Sequence, residues 1–100
     1  MRLFGKAYNK LSDEDLMHLA QSGNESAFSE LYDRYADRLL NYFFKMLWKD
    51  KEMAEDYVQE LFMKLVKNAG QFQEGRTFKT WIYSIANNMC KNAYRHHEVV

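Results

Sequence analysis

Apolar residues recur at intervals of three and four along four separate stretches of the chain, and each stretch is bounded by residues that start or stop helices. The first carries Leu16, Leu19 and Ala20. It opens on Ser12 with Asp15 three residues on, the spacing of a capping box, with Leu11 and Leu16 placed as a hydrophobic staple. Gly23, just after Ser22, can take the left-handed conformation that closes a helix. The second stretch opens on Asn24 as N-cap, with Glu25 against the positive end of the helix dipole. Its stripe is Phe28, Leu31, Tyr32, Tyr35, Leu39, Tyr42, Phe43 and Met46, and every aromatic in it is assigned to a bundle core. Near its end Leu40, Phe44 and Leu47 open a second apolar side, which implies contact with more than one neighbour.

Trp48 and Lys49 then form a short connector, and Asp50 caps the third helix with Glu52 in its first turn. Ala54, Val58, Leu61, Phe62 and Leu65 make its buried stripe. Asp56, Gln59, Glu60 and Met63 lie on the opposite side, with Glu55 beside them. Lys64 and Lys67 occupy its last turns, and Gly70 is the expected C-terminal cap. After the loop GQFQEGR, Thr77 caps a fourth helix whose core face is Phe78, Ile82, Ile85, Ala86, Met89 and Ala93. Lys79, Thr80, Tyr83, Asn87, Asn88, Lys91 and Arg95 look outward, and Trp81 sits on the boundary. Residues 1–10 have no period and are expected as a loose arm. The reading is a single all-α domain over residues 11–97, a compact bundle of four helices, with a short tail at 98–100.

Composition supports one core. A chain of 100 residues with 47% hydrophobic and 16% aromatic residues and no proline can fold without disulfides or a metal. Fourteen basic residues cancel fourteen acidic ones, but the signs are segregated: the exposed side of the third helix is acidic and amide-rich, that of the fourth basic, amide-rich and aromatic. The single cysteine, Cys90, forbids an internal disulfide, reads as a small core residue and suits a reducing cytoplasm. No apolar run approaches the roughly 20 residues needed to span a bilayer, so a soluble, cytoplasmic protein without membrane insertion is expected. His18, Cys90, His96 and His97 offer no convergent ligand set, and no nucleophile stands with a base. No enzyme, metal or cofactor is expected.

The runs AEDYVQELFMKL and TFKTWIYSIANNMCKNAYR resemble region 2 of bacterial sigma factors of the extracytoplasmic-function (ECF) type, the dissociable subunits that give RNA polymerase its promoter specificity. The resemblance covers residues 11–95. It implies that the third helix docks on the clamp coiled coil of the polymerase's largest subunit through Glu55, Asp56, Gln59 and Glu60, with Met63 adding apolar area. The loop before the fourth helix then corresponds to a pocket for a flipped base of the minus-ten element, and the fourth helix lines the path of the non-template strand.

Separated strands are held by cationic grooves with aromatic stacking surfaces, and the residue types fit. Lys79, Lys91 and Arg95 are the candidate phosphate contacts, with Arg76 and Thr80 alongside. Phe72, Trp81 and Tyr83 are the stacking candidates, and Asn87 and Asn88 have the donor and acceptor pair that reads base edges. Phe72 and Trp81 read equally as core, Trp81 being either core or a melting wedge. The rival reading is a helical protein-interaction module, for example one that binds an anti-sigma factor, without its own DNA role. Complete family members continue into a linker and a helix-turn-helix domain; a chain that stops at Val100 is read as an excised domain in preference to a natural truncation.

Overall fold

The computed structural model describes the backbone of residues 7–99 and the side chains of residues 7–97. Four helices follow in chain order: α1 (Asp13–Gln21), α2 (Glu25–Met46), α3 (Lys51–Lys67) and α4 (Phe78–Val99). The local signals for three of the starts act as their chemistry dictates. The Asp15 amide donates to Ser12 Oγ at 3.0 Å, Ala27 to Asn24 Oδ1 at 2.9 Å and Met53 to Asp50 Oδ1 at 3.0 Å, each satisfying an amide that has no partner within its helix. At the end of α1, Gly23 has φ 94°, and the amides of Gly23 and Asn24 turn back to the carbonyls of Ala20 and Leu19. This is a Schellman closure.

The stripes meet in one core that fully buries Leu16, Met17, Leu31, Leu39, Phe43 and Leu61, with Phe78, Ile82 and Cys90 from α4. Aromatic edges tie the helices together: Tyr35 to Phe78 at 5.4 Å, Phe28 to Phe62 at 5.9 Å and Phe43 to Tyr57 at 5.5 Å. Two members of the expected α2 stripe are not core. Tyr32 is 40% exposed, because Leu31, Tyr35 and Leu39 hold the inward line and Tyr32 falls to one side of it, resting its ring on Phe62. Met46 is exposed because Leu47, four residues after Phe43, takes the buried place.

Gly70 does not cap α3. Asn68 does so instead, its backbone and side-chain amides both donating to the Lys64 carbonyl, and Gly70 falls inside a 3-10 turn, Ala69–Gln71. The left-handed glycine of the following loop is Gly75, at φ 89°. Within the expected loose arm, Tyr8–Lys10 form a 3-10 turn held from α2: the Arg34 guanidinium donates to the carbonyls of Tyr8, Asn9 and Leu11 at 3.2, 3.2 and 2.8 Å. Residues 1–6 lie outside the described residues.

The connector between α2 and α3 holds the positive-φ non-glycine residues found among the described residues. Trp48 and Lys49 have φ of 58° and 56°, a conformation that costs an L-residue with a side chain roughly 1–2 kcal/mol. The reversal lets the Lys49 amide reach the Phe44 carbonyl at 3.0 Å and sets Asp50 at the head of α3. Lys49→Gly relieves that strain against the greater chain entropy of glycine. It is expected to stabilise the fold by about 0.5–1 kcal/mol, raising the thermal midpoint by a few degrees. Circular dichroism melts check this; an unchanged or lowered midpoint contradicts it.

Candidate nucleic-acid and protein interfaces

With its apolar stripe turned to the core, α3 presents Glu55, Asp56, Gln59, Glu60 and Met63 to solvent, and Met63 is 71% exposed. Glu55, Asp56 and Gln59 line a cleft of about 450 Å³ that α2 completes with Tyr32 and Asp37. Three carboxylates and no cation line this cleft, so its field favours a basic partner. Asp37 was not among the expected residues. Its signal was its place outside the α2 stripe, but only the pairing of α2 with α3 sets it beside Asp56. Glu60 turns the other way, toward a groove of about 480 Å³ shared with Trp48, Tyr57, Lys64 and His97. Its contact with Lys64 Nζ at 3.9 Å is between two exposed side chains and contributes little to stability.

Along α4 two ladders of exposed residues run with steps of four, and Asn92, His96 and His97 are also exposed near its C-terminal end. One ladder is Thr80, Ser84 and Asn88; the other is Asn87, Lys91 and Arg95. Lys79 and Arg76 are exposed at the N-terminal end. From Lys79 to Arg95 the helix advances about 24 Å at its ordinary rise. That length suits several nucleotides, since a stacked strand advances about 3.4 Å per step. Ser84, outside the expected set, belongs to the first ladder by its spacing. Its hydroxyl donates to the Trp81 carbonyl at 2.6 Å. Tyr83 is half-buried, its ring edge-on to Tyr42 at 5.5 Å, so one face of the helix keeps a partly open aromatic.

Two of the three stacking candidates are placed otherwise. Phe72 is 4% and Trp81 7% exposed, and their rings pack on each other at 5.1 Å and on Phe78 at 6.0 and 6.1 Å. Both are core in this structure. The reason is that Phe72 follows the 3-10 turn, which directs it inward beneath the loop, where α4 brings Trp81 to meet it. The three aromatics form the floor of the loop, and the residues above them, 73–77, are all exposed.

The remaining polar candidates lie apart from one another. His18 is on the surface of α1, 6.2 Å from the Phe72 ring, and the His97 ring lies 4.6 Å from that of Trp48. Cys90 is buried, and burial pushes its thiol up. No group of three or more metal-ligating side chains converges among the described residues.

The family model for Sigma-70 region 2 matches residues 31–99 of the chain. The chain is 33% identical over 82 residues to the ECF RNA polymerase sigma factor BldN of Streptomyces coelicolor, covering 81% of this chain and 31% of that protein. It is 36% identical over 69 residues to the ECF RNA polymerase sigma factor SigW of Bacillus subtilis, covering 69% of this chain and 36% of that one. The chain thus spans about a third of the length of these relatives. Among solved structures it is similar to an engineered region 2 of sigmaE, determined by NMR in complex with GTAAAA. The TM-score is 0.77 at 30% identity, over 89% of this chain and 92% of that one.

The two tryptophans report the placement of the loop floor. Trp48 is 48% exposed and Trp81 nearly enclosed. In Trp48→Phe the remaining emission should be blue-shifted and protected from iodide, whereas in Trp81→Phe it should be red-shifted and readily quenched. Equal quenching in the two variants would put Trp81 in solvent and return it to the stacking candidates.

Proposed function

The chain belongs to the Sigma-70 region 2 family, and on that footing we propose that it is the module of an ECF-type alternative sigma factor that docks on core RNA polymerase and recognises and opens the promoter minus-ten element. The observation that carries this reading is the pair of chemically opposite faces on α3 and α4. The carboxylate cleft made by Glu55, Asp56 and Gln59 with Asp37 receives a basic segment, the clamp coiled coil of the largest polymerase subunit, and Met63 adds apolar area at its edge. The α4 face receives the non-template strand.

Each polar candidate on α4 and in the loop before it has a role set by its chemistry. Arg76, Lys79, Lys91 and Arg95 neutralise phosphates, and Thr80, Asn87 and Asn88 meet phosphate oxygens or base edges. Tyr83 supplies the partly open ring on which a base stacks. Phe72 and Trp81 act from beneath, as the floor that holds the loop in place. The module contributes binding energy only: it traps bases exposed by thermal opening, while the polymerase carries out synthesis. Its place of action is accordingly the cytoplasm, and an anti-sigma factor that covers either face would hold it inactive.

Charge reversal separates the two faces. Asp56→Arg puts a cation into the cleft without touching the core; binding to a clamp coiled-coil peptide, followed by calorimetric titration, is expected to vanish while the melting curve is unchanged. Full-strength docking by the folded variant would sink the assignment of α3.

Lys91→Glu should leave docking intact and weaken binding of single-stranded DNA. Loss of one phosphate contact should also flatten the log–log salt dependence by about 0.7. Anisotropy of labelled oligonucleotides across a salt series reads both effects. A folded wild-type chain that binds neither probe is instead a protein-interaction bundle.

A further inference from the structure

The loop between α3 and α4 is fixed at both ends by one short helix that precedes it by some fifty residues. Gln21, the last residue of α1, places its side-chain nitrogen between two loop carbonyls, donating to Ala69 at 2.8 Å and to Phe72 at 3.1 Å. Its amide oxygen lies 3.3 Å from His18 Nδ1, which orients the amide with its nitrogen toward the loop. At the other end of α1, Glu14 Oε2 accepts the Phe78 amide at 2.7 Å, and this is the first amide of α4. Glu14 and Gln21 are seven residues apart, so they lie on one face of α1, separated by about 10.5 Å along its axis. Between their two grips stand residues 73–77, an arch of exposed residues with Gly75 at φ 89°.

The Phe72 ring is already enclosed by Phe78 and Trp81, so burial of that ring does not need the Gln21 amide. What the amide fixes is the backbone where the arch leaves the 3-10 turn, and what Glu14 fixes is where the arch enters α4. We propose that α1 is a splint for this arch, with Gln21 and Glu14 as positioning residues that set the span and shape of the loop facing the promoter strand, and so its base preference. This rests on the strand-binding role proposed above. It adds a specificity determinant in a helix that does not itself face the strand.

The chemistry of the two grips supplies the test. Gln21→Glu is nearly isosteric but turns two donors into an acceptor facing two carbonyls. Glu14→Ala removes the cap from α4, whereas Glu14→Gln keeps an acceptor oxygen there. Each full chain would be offered a random pool of single-stranded DNA hexamers, the bound fraction sequenced, and the affinity measured for the hexamer that the wild type enriches. Clamp-peptide docking and amide hydrogen exchange would be measured on the same samples.

The expected result for Gln21→Glu and Glu14→Ala is roughly three- to tenfold weaker binding, the size of a lost hydrogen bond. Enrichment should flatten and exchange at residues 73–78 should quicken, with docking unchanged and Glu14→Gln close to wild type. Wild-type enrichment in both Gln21→Glu and Glu14→Ala overturns the splint while leaving the strand-binding role in place. A parallel loss of docking overturns it as well, because it marks general destabilisation. A wild-type chain that enriches nothing overturns the strand-binding role and the splint together. If Gln21→Glu does not fold, the contrast between Glu14→Ala and Glu14→Gln decides.

Discussion

Two adjacent carboxylates in the first turn of α1 tie that helix to both of the 22-residue helices, α2 and α4. A nine-residue helix is marginal in water, so α1 depends on what it packs against and what it is bonded to. Asp13 accepts from Arg34 Nη1 at 2.9 Å and from the Tyr35 hydroxyl, both on α2, while Glu14 accepts the first amide of α4. Burial, together with the Asp13 carboxylate, pushes the Tyr35 phenol well above its usual range, so it stays a donor. Asp13 and Arg34 are only partly buried, and the strength of the joint comes from the number of charge-assisted hydrogen bonds that converge on it rather than from one ion pair.

Once α1 is fixed, α4 is held at both ends. Glu14 caps its start. Near its other end Tyr94 Oη donates to the Met46 carbonyl at 2.7 Å, and the Trp48 ring meets those of Tyr94 and His97 at 5.8 and 4.6 Å. The left-handed pair Trp48 and Lys49 therefore does more than reverse the chain between α2 and α3, since it also sets a ring against the end of α4. The strain stored in that connector is offset by the contacts it permits. The outcome is a polar face on a helix anchored near both ends, which would lower the ordering cost of the strand binding proposed above.

The burial of Phe72 and Trp81 alters the character of the proposed strand surface. Base stacking on an exposed ring contributes about 1–3 kcal/mol per base, and of the three stacking candidates only the half-buried Tyr83 is left to supply it. The rest of the surface is cationic and amide-bearing, suited to phosphates and base edges, and above its aromatic floor lies an arch of exposed residues. On the proposal above, discrimination among bases would depend on the shape of that arch and so on the α1 grips.

The helices and three of their N-caps were legible in the sequence because their causes are local. Ser12, Asn24 and Asp50 each bond an amide three residues ahead, and the stripes through Leu31, Leu61 and Ile82 follow from 3.6 residues per turn. The polar faces of α3 and α4 followed as what the stripes leave over. Local rules misplaced Gly70, since Asn68 closes α3 two residues earlier, and gave Tyr32 to a core whose inward line Leu31, Tyr35 and Leu39 already hold. Pattern alone left Phe72 and Trp81 undecided between core and surface, because an aromatic beside a stripe is buried only if another element covers it. Tertiary structure decided that case, as it decided the union of Asp37 with Asp56 in one cleft and the bonds from Gln21 and Glu14 to the loop. Those bonds join residues 48, 51 and 64 positions apart, and no periodicity encodes which distant carbonyl or amide a side chain will meet.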